Sequence, residues 1–187
     1  HVIDGGSRNY VVRMAERFRN RVRLRTPIQH VRRLPKEVLV TPEQGDTESF
    51  DHVIFACHSD QALRMLADPS VTEREVLAMF PYERNSAVLH TDETLLPKRR
   101  RAWACWNYRL AGDTADDCEQ PATVTYQMNM LQHIRSRHRF NVTLNSDDAI
   151  SPSKILRRFD YHHPVFTIGR AANQARHSEL VNANHTS

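Results

Sequence analysis

The sequence predicts an α+β (α/β) fold of short strands and short helices. Runs of roughly four to eight apolar or β-branched residues recur along the chain between turn residues, as is typical of strands. Other segments carry apolar residues at helical spacing. Of the 187 residues, 40% are hydrophobic and 26% are charged, which is the composition of a globular protein. The length suits one domain, or one domain with part of another.

The first predicted helix spans residues 9–18, where Val11, Met14, Ala15 and Phe18 recur at helical spacing. Ser7 is its expected N-cap. Three strand-like runs follow, at residues 21–25, 27–34 and 37–41.

Residues 42–49 carry turn residues and predict a hairpin loop. The continuous apolar run at 50–58 predicts a strand buried on both faces, as in a parallel sheet. A helix capped by Ser59 is expected at 59–67. Cys57 is expected to be buried and unreactive, because nothing near it in sequence would lower its pKa.

The remaining segments continue the alternation of helix and strand. The patterns predict a helix at 72–80 capped near Ser70, strands at 85–92, 101–110 and 139–145, a loop at 111–122, a strand turning into a helix at 122–131, a short helix at 151–159 with Pro152 near its start, an extended segment at 160–167 and a helix at 170–181.

Charge and composition limit the function classes. No apolar run is long enough to cross a bilayer, no signal peptide is visible, and the three cysteines form no CxxC pair, so a cytoplasmic setting is expected. The formal charge is +4, with basic runs at 32–33, 98–101 and 135–139. We interpret these runs as solvated surface, and a nucleic-acid-binding module is the weaker alternative. No nucleic-acid partner and no integral membrane segment are therefore expected.

No residue spacing assembles a catalytic triad, a phosphate loop or a metal site. His162 and His163 are adjacent on an extended segment and point in opposite directions, which disfavours joint metal binding. His58 follows a predicted buried strand, where α/β proteins commonly place ligands. Four aromatic residues either line an apolar pocket or pack in a core: Trp103, Trp106, Tyr108 and Tyr126.

Two strings are more specific than these patterns, namely ACHSDQAL at 56–63 and HTDETLLP at 90–97. Together with GGSRNYVVRMAERF near the start and FDYHHPVF near the end, they resemble the flavin amine oxidase superfamily, and within it a bacterial branch of predicted NAD/FAD-binding proteins. The resemblance covers almost the whole chain. It implies an FAD-dependent oxidoreductase that acts on a small-molecule substrate.

The resemblance also implies a domain plan. Residues 1–67 correspond to part of the FAD-binding domain, residues 68–165 to a mixed-sheet substrate-binding domain with covering helices, and residues 166–187 to a helix and tail returning toward the FAD domain. By the same resemblance, the backbone at Ile28 meets the adenine of FAD, and the strand end at Ala56, Cys57 and His58 passes near the cofactor. The four aromatic residues become walls of a substrate pocket, and no metal is implied.

Two departures from the family pattern qualify these expectations. The glycine-rich phosphate loop is absent from the sequence, so this chain is expected to be an internal segment that binds FAD poorly, does not turn over alone and associates with itself. The family's amine oxidases place a lysine near the flavin, whereas Asn85 or Ser86 stands there in this chain. This difference favours an apolar substrate that is oxidised or desaturated by hydride transfer to flavin. The alternative is a non-catalytic scaffold that retains the fold.

Overall fold

The computed structural model describes residues 2–109, 123–181 and 184–187. The chain divides into two compact units. The small-sheet unit comprises residues 21–83 and 164–187, and the large-sheet unit comprises residues 1–20 and 84–163. The domain plan implied by the family resemblance stays a prediction.

The described residues form helices and antiparallel sheets, which confirms the α+β class. In chain order the elements are α1 (Arg8–Ala15), β1 (Ile28–Arg33), β2 (Val38–Pro42), β3 (Glu48–Phe50), α2 (Ser59–Met65), α3 (Val71–Ala78), β4 (Tyr82–His90), β5 (Trp106–Arg109), β6 (Thr123–Gln127), α4 (Met128–Leu131), β7 (Asn141–Leu144), β8 (Ile155–Pro164) and α5 (Arg170–Ala175). Short 3-10 turns include Glu16–Arg21, Arg100–Ala102, Pro152–Lys154 and Arg176–Glu179.

The small-sheet unit is built on the antiparallel sheet β1-β2-β3. The hairpin loop predicted before β3 is confirmed, because β2 and β3 pair across it. Val31 and Val38 of the sheet are buried, together with Ala62 and Leu66 from the segment around α2. A parallel bridge joins Val31 to Leu66, so α2 is anchored along the outer edge of β1.

A buried ion pair connects the sheet to α3. The Arg33 guanidinium donates to both carboxylate oxygens of Glu73, and these side chains are only 3% and 6% exposed. Arg33 also donates to the Asp68 carbonyl at 2.8 Å and to the Thr186 hydroxyl at 3.2 Å. Glu73 in turn accepts the Ser70 backbone N–H at 2.7 Å, while the Ser70 side chain accepts the N–H of Glu73. Ser70 is therefore the N-cap of α3, as predicted.

The prediction of a doubly buried strand at 50–58 is wrong. β3 ends at Phe50, and the backbone beyond it pairs with the last residues of the chain through Val53 and Thr186. The Phe55 N–H donates to the Ser187 carbonyl at 2.7 Å. Ile54 is 75% exposed, because within the described residues this segment is not embedded between strands on both of its edges.

The large-sheet unit holds a five-stranded sheet of order β5-β6-β7-β4-β8. β5 pairs with β6, β6 with β7, and β7 with β4, all antiparallel. The strands predicted around 85–92, 101–110, 122–127 and 139–145 are therefore confirmed, with β5 shorter than expected. The loop predicted at 111–122 lies outside the described residues.

Three further sequence predictions are corrected. Residues 21–25 form no strand, and Arg25 has a positive φ of 57° that is incompatible with extended pairing. The helix expected at 151–159 is a 3-10 turn at Pro152–Lys154 followed by β8, whose place in the sheet overrides the weak helical pattern. His58, not Ser59, precedes α2 as the N-cap.

Helix α1 forms where the pattern predicts, but the Ser7 side chain makes no capping hydrogen bond. Ser7 has helical dihedral angles, which turn its hydroxyl away from the cap geometry. Helix α5 and the 3-10 turn after it confirm the helix predicted at 170–181. Among the described residues, no helix is both long and apolar enough to cross a membrane.

The Arg33–Glu73 pair yields a stability prediction. Changing Glu73 to Gln leaves the buried guanidinium with only the partly exposed Asp68 carboxylate, which lies 3.2 Å from its Nε. E73Q is therefore expected to lower the free energy of unfolding by up to about 3–5 kcal/mol. The matched control is E75Q on the same helix, where the Glu75 side chain is 53% exposed and pairs with Arg176. That change is expected to cost less than about 1 kcal/mol. Urea unfolding followed by circular dichroism measures both, and equal losses would contradict the assigned role of the pair.

Candidate functional site

Ile28 is the first residue of β1 and pairs with Pro42 of β2. The Glu43 N–H donates to the Pro27 carbonyl at 2.9 Å, which makes Ile28 and Pro42 a non-hydrogen-bonded pair. The backbone N–H and C=O of Ile28 therefore point away from β2, toward the outer edge of the sheet. An adenine ring, which offers one donor and one acceptor side by side, fits such an edge.

The predicted cofactor-side turn consists of Ala56, Cys57 and His58, and it leads directly into α2. Ala56 and Cys57 are exposed, and His58 is half-buried. The His58 ring stacks on Tyr82 with centroids 4.3 Å apart and ring planes 13° from parallel. The Ser59 N–H donates to the Tyr82 hydroxyl at 3.1 Å. Two contacts with one tyrosine therefore fix the turn.

Tyr82 is a site residue that the sequence analysis missed. It follows the Phe80-Pro81 break, and nothing in the sequence spacing indicates that it returns to residues 58 and 59. A second interaction also orders the turn, since the Gln61 side chain accepts the His58 N–H at 3.1 Å. Such a hydrogen bond is typical of helix N-termini, where a side chain three residues after the N-cap accepts the backbone N–H of the N-cap residue.

A cavity of about 340 Å³ lies beside this turn, within the small-sheet unit. Cys57, Ser59 and Tyr82 form part of its wall, and apolar side chains such as Leu66 and Leu180 form much of the rest. Its volume falls in the range of small-molecule pockets. The predicted cofactor-side turn thus borders an apolar hollow.

Cys57 corrects one expectation and agrees with another. The residue is exposed, not buried as predicted. Neighbouring protein atoms desolvate the thiol and thereby raise its pKa, and the negative charge of Asp60 acts in the same direction. A raised pKa lowers the thiolate fraction, so this cysteine has little nucleophilic character.

The predicted substrate-side aromatic residues lie in the large-sheet unit, where three of the four meet. Trp106 pairs directly with Tyr126 across β5 and β6, with ring centroids 5.4 Å apart and planes at 74°. Tyr108 lies two residues along on the same face. Trp106 and Tyr108 are 65% and 64% exposed, so they are not core residues. We define Trp106, Tyr108 and Tyr126 as the aromatic face of the sheet.

Trp103 is not part of the aromatic face. Its indole N–H donates to the Pro97 carbonyl at 2.8 Å, and the Arg100 guanidinium lies 5.5 Å from the centroid of its ring. Both contacts hold Trp103 in the loop before β5. Its assignment to a substrate wall stays a prediction.

The opposite face of the same sheet buries a row of polar side chains that the sequence analysis missed. The Asp92 N–H donates to Nδ1 of His90 at 3.1 Å, so Nδ1 carries no proton in the neutral ring. Nε2 then donates to the Thr143 hydroxyl at 2.8 Å, which lies 2.9 Å from the Thr125 hydroxyl. His90, Thr143 and Thr125 are at most 2% exposed. We call these three residues the polar row.

Asp92 anchors the end of the polar row. Its carboxylate accepts the Ser151 N–H at 2.9 Å, the Lys154 ammonium at 3.0 Å, and the N–H and hydroxyl of Thr94 at 3.1 and 3.0 Å. Burial opposes ionisation, but these donors outweigh it and hold the pKa of Asp92 far below its usual range. Burial lowers the pKa of His90, and the nearby Asp92 carboxylate offsets only part of that effect.

Asn85 and Ser86, one of which the family resemblance predicts at the position of the amine oxidases' lysine, are tied to the neighbouring strand end. Asn145 donates from its side-chain amide to the Asn85 side chain at 2.8 Å. The Asn145 side-chain carbonyl accepts the Ser86 N–H at 3.1 Å. These contacts give both residues a role within the sheet.

The two adjacent histidines lie on β8, where His163 makes an edge contact with Tyr161 at 6.5 Å. Across the ranges that the structure describes, no group of three or more His, Cys, Asp or Glu side chains is arranged to hold a metal ion.

The polar row predicts a pH dependence of stability. His90 titrates at about pH 6.5 when unfolded and at a lower pH when folded. The stabilisation from its neutral form is therefore complete above about pH 6.5 and is lost as the pH falls below it, because the unfolded chain then binds more protons. Asp92 stays ionised through this range.

Thermal unfolding between about pH 5 and pH 8 measures the effect. H90Q is expected to flatten the pH dependence below about pH 6.5, whereas H162Q, at an exposed position, keeps the wild-type profile. Identical profiles for the wild type and H90Q would exclude His90 as the titrating group.

Comparison with known proteins places this geometry in a family. Residues 2–118 match the family described as flavin containing amine oxidoreductase. A search among curated proteins finds no significant match. A structure of putrescine oxidase bound to putrescine has a TM-score of 0.60 at 12% identity, over 98% of this chain and 46% of that chain.

Two other solved structures share the fold. Cyclohexylamine oxidase from Brevibacterium oxydans IH-35A has a TM-score of 0.55 at 10% identity, over 97% of this chain and 46% of that chain. Reduced UDP-galactopyranose mutase has a TM-score of 0.54 at 12% identity, over 86% and 40%. The chain thus spans less than half the length of these proteins. Since the family match covers residues 2–118 of 187, the chain belongs to the flavin-containing amine oxidoreductase family.

Proposed function

We propose that this chain is part of an FAD-dependent oxidoreductase that oxidises or desaturates a small apolar substrate by hydride transfer to the flavin. The family match is the observation that carries the proposal. Bound FAD would supply the hydride acceptor, and the protein would orient the substrate and exclude water. A cytoplasmic location belongs to the same proposal.

The small-sheet unit supports FAD as the cofactor. The outward N–H and C=O of Ile28 suit the hydrogen-bonding edge of adenine, and the turn at Ala56, Cys57 and His58 suits a second contact with the cofactor. The sequence of this chain contains no glycine-rich phosphate loop, so we assign no pyrophosphate contact to it.

The large-sheet unit supports an apolar substrate. On the aromatic face, the indole of Trp106 and the phenol of Tyr108 are about two-thirds exposed. Such rings bind apolar molecules through contact area and ring geometry. Asn85 and Ser86 offer no ammonium group at the position of the family's lysine, which also favours carbon oxidation over amine oxidation.

The fold alone does not select the substrate, because relatives with this fold differ in chemistry. A fatty acid isomerase from P. acnes has a TM-score of 0.55 at 11% identity, and putrescine oxidase has a TM-score of 0.60. The preference for an apolar substrate therefore rests on residues of this chain, above all on Trp106, Tyr108 and Asn85.

The cofactor proposal predicts a selective effect of proline at Ile28. I28P removes one backbone donor that faces away from β2, so no ladder hydrogen bond is lost and the sheet tolerates the change. In the full-length protein that contains this chain, we expect the Kd for FAD to rise about tenfold, which corresponds to the loss of one hydrogen bond. Quenching of flavin fluorescence during titration measures it, with I28V as the control that keeps the N–H.

The absorption spectrum of the full-length protein that contains this chain tests the proposal as a whole, because the segment alone is expected to bind FAD poorly. Flavin bands, or their appearance on adding FAD, would support it, and an equal Kd for I28P and I28V would reject Ile28 as the adenine contact. A colourless protein that also fails to take up FAD would favour the alternative, a non-catalytic scaffold that retains the family fold.

A further inference from the structure

Two cation-rich segments emerge at the same end of the large sheet. Residues 91–105 join the end of β4 to the start of β5, and residues 128–140 join the end of β6 to the start of β7. The pairings of Trp106 with Tyr126 and of His90 with Asn141 place these four strand ends side by side. The sheet therefore brings together the basic runs at 98–101 and 135–139, which are about 35 residues apart in sequence.

Direct hydrogen bonds tie the two segments to this end. The Gln127 N–H donates to the Cys105 carbonyl at 2.9 Å, and the Asn141 side chain donates to the Asp92 carbonyl at 2.8 Å. Within segment 128–140, Asn129 donates to the His138 carbonyl at 2.9 Å and accepts the Phe140 N–H at 2.7 Å. Both segments are therefore held against the sheet by specific contacts.

The cationic end is defined by exposed side chains of these two segments: Lys98, Arg99, Arg100, Arg101, Arg135 and Arg137. Segment 128–140 contains no Asp or Glu, and segment 91–105 contains only Asp92 and Glu93. Asp92 is buried and bound by Lys154, while Glu93 lies 3.5 Å from Arg100. Among the residues that the structure describes, the guanidinium groups of Arg99, Arg101 and Arg135 form no ion pair.

Apolar side chains are exposed beside these cations. Met130 is 42% exposed and Ile134 is 36% exposed, and both lie in the segment that carries Arg135 and Arg137. Aliphatic groups next to arginines are typical of surfaces that rest on a bilayer, where the apolar groups enter the acyl boundary and the cations meet anionic headgroups.

We propose that the cationic end binds the anionic surface of a phospholipid membrane and holds the protein there peripherally. The charge complements phosphate headgroups, and Met130 and Ile134 supply a shallow apolar insertion. Nucleic acid offers phosphate charge as well, but its sequence-independent contacts are made chiefly by cations and by ring stacking. The proposal does not depend on the proposed redox function.

Vesicle flotation of the full chain tests the proposal, using mixed phosphatidylcholine and phosphatidylglycerol vesicles against pure phosphatidylcholine vesicles. Binding is expected only with the anionic lipid. It should fall steeply between about 0.1 M and about 1 M salt, as the Debye length shrinks from about 10 Å to about 3 Å. Equal binding to both vesicle types would overturn the proposal.

Charge reversal locates the surface. The triple variant R99E/R101E/R135E is expected to weaken anionic-vesicle binding about a hundredfold, at about fivefold per arginine. The control R17E/R74E/R109E makes the same change in net charge at exposed arginines outside the cationic end and should retain most of the binding. Circular dichroism checks that both variants fold, and equal losses in the two variants would refute this location.

The apolar contribution separates a membrane from a nucleic acid. M130S/I134S keeps every charge and is expected to weaken vesicle binding severalfold, with no effect on binding to a duplex DNA oligonucleotide. Unchanged vesicle binding by this variant, or tighter binding of the wild type to DNA than to anionic vesicles at the same salt, would overturn the assignment to a membrane.

Discussion

The buried pair of Arg33 and Glu73 is the interaction on which the small-sheet unit depends. From the end of β1, the Arg33 guanidinium contacts the Asp68 turn, the first turn of α3 and Thr186 near the end of the chain. Desolvating two charges is costly, and it is tolerated here because nearly every donor and acceptor finds a partner. The pair thus sets where α3 and the final residues sit relative to the sheet that carries Ile28.

The large-sheet unit also buries polar side chains that hydrogen bonds satisfy. One face of its sheet is aromatic and exposed, and the other buries hydroxyls, an imidazole and amides. Buried polar groups are stable only when they are hydrogen-bonded. In the polar row, the His90 ring donates to the Thr143 hydroxyl and accepts the Asp92 N–H, and the Thr143 and Thr125 hydroxyls share a hydrogen bond. The network thus links β4, β6 and β7 on the face opposite the aromatic face.

Sequence patterns were most reliable where local chemistry decides the structure. The helix cap at Ser70, the hairpin before β3 and the strands β4, β6 and β7 all follow from residues close together in the chain. The failures occurred where partners are distant. Residues 50–58 read as a doubly buried strand, yet their pairing depends on 185–187, and residues 155–159 joined a sheet despite a helical pattern.

The sequence by itself indicated the family, which the match over residues 2–118 confirms, and most element types, through spacing and caps. Only the tertiary structure decided the backbone direction at Ile28, the return of Tyr82 to the turn at His58, and the gathering of two basic runs at one sheet end. The reason is physical. A family motif or a helix cap is defined by residues that are close together in the sequence. Strand register and buried ion pairs instead depend on which distant segments pack together and exclude water.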